Sequence, residues 1–214
     1  MTVLLSRLYD DYATAHNAVQ RLRTAGVPDG EISILASNAE GWYKADGDGK
    51  PSAVDPKHDK NRDGADDRAQ GAAVGGGLGA VAGGTAGALA GLGLLAIPGV
   101  GPVVAAGWLV ATLAGAVTAG AAGGVIGALV ESGVSKENAE LYTEALRRGG
   151  ALVTARVSDA DKLKYAAVMD QSAVDLPARQ AIYRKDGWKG YDQTARPYEA
   201  AEVLRAREQY SRPL

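Results

Sequence analysis

The chain contains one long run, residues 71–130, in which no side chain carries a charge. The run has about three times the length that a helix needs to cross a bilayer once, so it has room for two passes. Two prolines interrupt it near its middle, and a proline cannot continue a helix. The sequence therefore predicts a helical hairpin whose turn contains Pro98, Gly99, Gly101 and Pro102.

Small residues recur at every fourth position along both arms of this predicted hairpin. In a helix that spacing places them on one face, where two backbones can approach to van der Waals contact. Such a helix is not stable alone in water, because each glycine costs about 0.8–1 kcal/mol relative to alanine, so the arms must pack or insert. The predicted helix-packing residues are Gly71, Gly75, Gly79, Gly83, Gly87, Gly91, Gly107, Gly115, Gly123 and Gly127.

The segments on either side of the hairpin alternate between strand and helix patterns. Residues 3–9 and 32–36 predict strands around an amphipathic helix, and residues 151–157 and 173–176 do the same. An additional helix, capped by Ser135, precedes the second pair. Two βαβ units predict a ferredoxin-like α/β sandwich that the hairpin splits. The predicted domains are 1–36 (first half of the α/β domain), 37–70 (polar linker), 71–130 (hairpin), 131–177 (second half) and 178–214 (C-terminal extension with a short helix).

Composition excludes several classes of function. The formal net charge is −2, so there is no excess of basic residues to attract the phosphates of a nucleic acid. The chain has no cysteine, which excludes disulfides, thiol catalysis and cysteine metal sites. No set of nucleophile, base and orienting residue can be named, and neither a cofactor nor a small-molecule substrate is expected. We therefore expect a protein that is not an enzyme.

One loop of the polar linker has the spacing of a calcium-binding loop. Oxygen-bearing side chains stand at positions 1, 3, 5 and 9 of an EF-hand pattern, and Gly64 stands at the sharp turn. However, Gln70 replaces the bidentate glutamate of position 12. We expect a solvated acidic loop and keep calcium binding as the alternative. The candidate ligands are Asp59, Asn61, Asp63 and Asp67.

Five stretches of the chain together have a recognisable pattern. They are residues 3–25, the entry DRAQGAA at 67–73, the turn IPGVGP at 97–102, ELYTEALRRGGALVT at 140–154, and AVD at 173–175. On these residues the chain resembles the bacterial general stress protein family, also called heat-induced stress proteins, with the seventeen-M-like domain. The resemblance implies a stress-linked protein without enzymatic activity, and it supplies no catalytic residues. It does not extend to the C-terminal extension.

Two functional hypotheses follow from the uncharged run. In the first, the α/β domain lies in the cytoplasm and the hairpin lies in the inner membrane, so the partners are the lipid bilayer and further copies of the chain. In the second, the protein is wholly cytoplasmic, and hairpins from several copies bury one another in a cage, tube or bundle. Both hypotheses make the protein a homo-oligomer, because the small-residue faces need a matching surface to pack against.

Overall fold

A five-stranded sheet forms the centre of the protein. The computed structural model describes residues 1–45, 51–52, 93–97, 99–109 and 124–210. The strands are β1 (Thr2–Tyr9), β2 (Ile32–Ser37), β3 (Lys44–Ala45), β4 (Pro51–Ser52), β5 (Gly93–Ile97), β6 (Gly101–Gly107) and β7 (Ala151–Ser158). The main sheet has the order β1-β7-β2-β6-β5, and all its neighbouring strands are antiparallel. β3 and β4 pair with each other separately.

Six α-helices lie in the described part of the chain. They are α1 (Tyr12–Thr24), α2 (Gly124–Glu131), α3 (Lys136–Arg147), α4 (Lys162–Asp170), α5 (Leu176–Lys185) and α6 (Ala200–Tyr210). Three of them begin at a side-chain cap, as their sequences require. Asp11, Ser135 and Asp175 each accept a hydrogen bond from the backbone N–H three residues later. The helix predicted within the C-terminal extension is α6.

The sheet is covered on both faces, because successive side chains of a strand point in opposite directions. Ile34 and Val153 are cross-strand partners on one face, where α1 and α4 pack. Leu35 and Leu152 are partners on the other face, against which α2 and α3 pack. The predicted mixed α/β class is therefore confirmed.

The predicted helical hairpin is wrong in its central part. Residues 93–107 form a β-hairpin, β5 and β6, which continues the main sheet. The chain does reverse at the predicted turn, where the Val100 N–H donates to the Ile97 carbonyl at 3.0 Å. A short apolar run bounded by glycine and proline is compatible with a buried strand as well as with a helix. The β-branched Val103 and Val104 favour the strand.

The turn lies inside the domain and not at the far end of two helices. Val100 is 2% exposed and belongs to the same core as Leu8 and Leu35. Residues 93–97 and 101–107, which the sequence predicts to be part of a separate hairpin, therefore contribute two strands to the α/β sheet. Within the described ranges, no helix has the length and apolarity that are needed to cross a bilayer.

The last predicted strand, residues 173–176, is also wrong. This stretch lies beside the outer edge of β1, where the Val174 N–H donates to the Leu8 carbonyl at 2.8 Å, but it does not pair as a strand. Asp175 instead caps α5, and Pro177 occupies the first turn of that helix, where a missing N–H breaks no hydrogen bond. The helix start signal therefore overrides the short apolar pattern before it.

Two buried tyrosines make the stability of the domain depend on alkaline pH. The hydroxyls of Tyr9 and Tyr142 donate to the carbonyls of Met169 and Ser6, at 2.9 and 3.2 Å. Burial raises the pKa of each tyrosine to about 12. Between pH ~10 and ~12 the folded state keeps protons that the unfolded state loses, so the free energy of unfolding should fall by about 1.4 kcal/mol per pH unit for each tyrosine.

Urea unfolding across this pH window measures the effect. The stability is fully present below pH ~10 and is lost as the pH rises towards ~12. Tyr142→Phe should reduce the slope by about 1.4 kcal/mol per pH unit, because its own contribution is removed while those of Tyr9 and of the buried Tyr183, whose pKa is also raised by burial, remain. A free energy of unfolding that stays constant across the window would contradict the prediction.

Candidate interaction surface

Helix α2 has two apolar sides, and only one of them packs in the hydrophobic core. Val125, Ala128 and Leu129 are buried against the sheet. On the other side, Gly127 is exposed and Val130 is 41% exposed. A Cβ atom added at Gly127 would meet no described atom within 4 Å. This side of α2 is therefore a helix surface with open space above a glycine.

An open groove runs beside this side of α2. Its volume is about 750 Å³, and Ile126, Gly127 and Val130 form one wall. The first turns of α3 and the residues at 191–194 form the other wall. The groove thus combines an apolar wall with a polar one, and glycine gives its apolar wall a local depression.

The polar wall is held in shape by its own hydrogen bonds. The backbone N–H and the hydroxyl of Thr194 donate to the Asp192 carboxylate at 2.8 and 2.6 Å. These bonds favour the ionised form and lower the pKa of Asp192. Lys136 and Glu140, one turn apart on α3, form a surface ion pair at 3.9 Å. The wall is therefore an ordered turn that carries charge at neutral pH.

The same turn closes over the tip of the β-hairpin. A Cβ atom at Gly99 would lie 2.8 Å from the Gln193 Cα, and one at Gly101 would lie 2.7 Å from the Pro197 Cβ. Both glycines have positive φ angles, +73° and +104°. Two of the predicted turn residues, Gly99 and Gly101, thus lie against the C-terminal extension.

A buried ionic cluster ties this extension to the end of α3. Glu144, 2% exposed, accepts hydrogen bonds from both Arg147 and Arg148. Arg148, 5% exposed, also donates to Asp186 at 3.2 Å. Its guanidinium lies 4.2 Å from the ring centroid of Tyr183, which is fully buried in α5. Every guanidinium of the cluster thus has a carboxylate partner, as buried charges require.

The electrostatics of the cluster favour a structural role. Burial alone would lower the pKa of Arg148, but the Glu144 carboxylate outweighs it and raises that pKa. Arg148 therefore remains a cation and cannot exchange protons at any physiological pH. The cluster therefore orders the extension against the end of α3.

The predicted packing residues fall into three groups. Gly127 lies in a helix and on the candidate surface. Gly107 ends β6 with a φ angle of +92°, and a Cβ atom there would lie 2.2 Å from the Ile32 carbonyl oxygen. Pro102 lies in β6. The remaining predicted residues are outside the described residues: Gly71, Gly75, Gly79, Gly83, Gly87, Gly91, Pro98, Gly115 and Gly123, with the calcium candidates Asp59, Asn61, Asp63 and Asp67.

Sequence reasoning missed the ionic cluster and the groove. The signal for the cluster is the pair of Glu144 on α3 and Arg148 four residues later, at the C-cap of that helix, with apolar residues on the same helix. Spacing of this kind is usually found on a solvated face, so only the packing of the extension reveals it. The groove needs α2 and the turn at 191–194, which are distant in sequence, and no local pattern predicts that they meet.

The part of the chain that the structure describes contains no candidate metal site. There, no three histidine or carboxylate side chains are grouped so that they could hold a metal ion. His16 lies on α1 beside Tyr12 and Gln20, with which its ring nitrogens make hydrogen-bond contacts at 3.4 and 3.0 Å.

No family model, curated protein or solved structure matches the chain.

Proposed function

We propose that the protein is a non-enzymatic structural protein of the bacterial stress response, and that it associates with further copies of itself through the exposed side of α2. The observation that carries this proposal is that, among the described residues, no atom lies within 4 Å of a Cβ position at Gly127 on an apolar helix. Two helices can approach closely at such a point, because no side chain separates their backbones. The sequence resemblance supports the link to stress.

A stable interface needs more surface area than α2 alone provides. A stable interface buries at least about 1,000 Å², which is more than one side of an eight-residue helix provides. The sequence before α2 continues the same spacing through Gly115, Ala119 and Gly123. The small-residue face that the sequence predicts at these positions lies outside the described residues, so its part in an interface stays a prediction. Association with a bilayer through the uncharged run at 71–130 is the first hypothesis of the sequence and stays a prediction.

The variant Gly127→Leu tests the proposal. Its fold should persist, because a side chain at this position points into open space and leucine is a better helix former than glycine by about 0.8–1 kcal/mol. Its self-association should weaken by at least about tenfold, since the added isobutyl group forces the partner backbone away. Size-exclusion chromatography with light scattering and a thermal melt measure the two effects.

The matched control is Ala167→Leu on α4. Ala167 is also an exposed small residue in a helix, but α4 packs on the opposite face of the sheet. The control should leave the association state unchanged. If both variants associate as the unchanged chain does, the α2 surface is not an interface.

We also infer that β1, α1, β2, β7 and α4 are a ferredoxin-like unit without its fourth strand. The order β1-β7-β2 and the packing of α1 and α4 on one face support this interpretation. The stretch at 173–175 lies beside β1, which is the side where the fourth strand of that fold would stand. β6 and β5 extend the sheet on the opposite side.

A further inference from the structure

The two edges of the main sheet differ in how their backbone groups are used. At the β1 edge, the Leu8 carbonyl accepts from the Val174 N–H at 2.8 Å, and the Ser6 carbonyl accepts from the Tyr142 hydroxyl at 3.2 Å. These groups are therefore not available to another strand. Arg7 forms an ion pair with Asp170 beside the same edge. Proteins prevent the addition of another strand by covering a sheet edge or by placing charged side chains on it.

At the other edge, β5 turns a row of amide groups outward. Ala96 is the cross-strand partner of Pro102, which has no N–H, so this pair cannot exchange ladder hydrogen bonds. Hydrogen-bonded and non-hydrogen-bonded pairs alternate along an antiparallel ladder. The N–H and C=O groups of Leu94 and Ala96 therefore point away from β6. Among the described residues, β6 is the only strand that pairs with β5.

The side chains of β5 offer no protection against pairing. Residues 93–97 contain no charge and no proline, the two features that usually blunt an edge. Leu94 is 44% exposed, and Ala96 is exposed as well. An uncharged, apolar edge of this kind fits an extended strand that is itself uncharged and apolar.

We propose that β5 pairs antiparallel with β5 of a second copy, so that two main sheets become one continuous sheet across a two-fold axis. A two-fold axis beside a strand always generates an antiparallel pair of that strand, which continues the antiparallel order of this sheet. With the axis beside Leu95, Leu94 of each copy exchanges hydrogen bonds with Ala96 of the other. The strand is uncharged, so it meets its own copy without electrostatic repulsion. The surface is separate from the α2 surface, and the proposal does not rest on the proposed function.

The test uses the full chain and two variants of the edge. Leu94→Lys places a charge on the exposed side chain, and Ala96→Pro removes one outward N–H. Each should raise the dissociation constant of the dimer at least tenfold in sedimentation velocity, while the thermal melt stays close to that of the unchanged chain. Thr2→Lys is the control, because Thr2 is an exposed residue of the closed β1 edge.

Amide hydrogen exchange identifies the contact directly. The amides of Leu94 and Ala96 should be protected at high protein concentration, and they should lose protection on dilution or in Leu94→Lys. Gly127→Leu distinguishes the two surfaces, because it should leave this protection unchanged even if the α2 contact is lost. A monomer with rapid exchange at both amides overturns the proposal. So does a monomer with protected amides, which would mean that another segment of the same chain covers the edge, and so does a dimer that both edge variants leave intact.

Discussion

The variant Glu144→Gln is expected to lower the free energy of unfolding by about 3–5 kcal/mol, because it leaves Arg147 and Arg148 without their shared carboxylate. Glu144 and Arg148 are 2% and 5% exposed, so water cannot replace the lost partner. Asp186 keeps its contact with Arg148 at 3.2 Å. Its side chain is 30% exposed, so water screens its charge and it compensates only in part for the loss of Glu144. The C-terminal extension should separate from α3 first.

Urea unfolding measured with tryptophan fluorescence gives this free energy, and Trp188 reports on the extension itself. For a chain of this size the thermal midpoint should fall by roughly 6–20 °C. Glu137→Gln is the matched control, because its ion pair with Arg184 has side chains that are 66% and 62% exposed. Exposed pairs contribute about 0–1 kcal/mol, so the control should change stability little. Equal effects of the two variants would mean that the buried cluster has no special role.

The variant Gly107→Ala is expected to destabilise the domain by at least about 3 kcal/mol. A Cβ atom at this position would lie 2.2 Å from the Ile32 carbonyl oxygen and 2.8 Å from the Ser33 Cα, and both atoms belong to the backbone of β2. Backbone in the middle of a sheet cannot move aside as a flexible side chain can. The φ angle of +92° adds strain for any residue with a Cβ.

Gly30→Ala provides the reference for this substitution. Gly30 has no positive φ angle, and a Cβ atom there meets no described atom within 4 Å. Its replacement should be neutral or slightly stabilising, by up to about 1 kcal/mol, because alanine restricts the unfolded chain. A denaturant melt of both variants separates the clash from the general effect of removing a glycine. If Gly107→Ala unfolds at the same denaturant concentration as Gly30→Ala, β6 does not end in the close contact described.

Local patterns predicted most of the strands and helices that flank the uncharged run. The strands β1, β2 and β7 and the helices α1, α3, α4 and α6 follow the predicted segments to within a few residues. Their signals are physical and local: alternation along the strands, Asp11 and Ser135 at helix starts, and Gly149 with a φ angle of +97° after α3. Elements of this kind are specified by residues that are close together in the sequence.

The predicted helical hairpin is wrong at 93–107 because this stretch fits two structures. A four-residue spacing of small residues is typical of a helix face, but within 93–107 only Gly107 keeps that spacing. What decides the outcome is the pairing of β6 with β2, whose residues are about 70 positions earlier in the chain. Tertiary pairing of that range overrides local periodicity and cannot be read from one window of sequence.

For the candidate surface, the sequence pattern predicts a helical position for Gly127, and Gly127 does lie in a helix. Its role in helix packing stays a prediction. The pattern could not show that the turn at 191–194 forms the opposite wall, nor that Gly99 lies against that turn and Gly101 against Pro197. Such contacts depend on how the C-terminal extension folds back over the sheet.

The central position of β7 has a consequence for the order in which the chain folds during translation. β7 is the only described strand that joins β1 to the rest of the main sheet, yet about 140 residues separate the end of β1 from its start. At ribosomal speeds of roughly 5–20 residues per second, β1 and α1 wait about 7–30 s for their partner strand. β2, β6 and β5 can pair earlier, as soon as residue 107 has left the ribosome. Nascent chains that stop before residue 151 therefore expose the apolar side of α1, and we expect them to bind chaperones or aggregate.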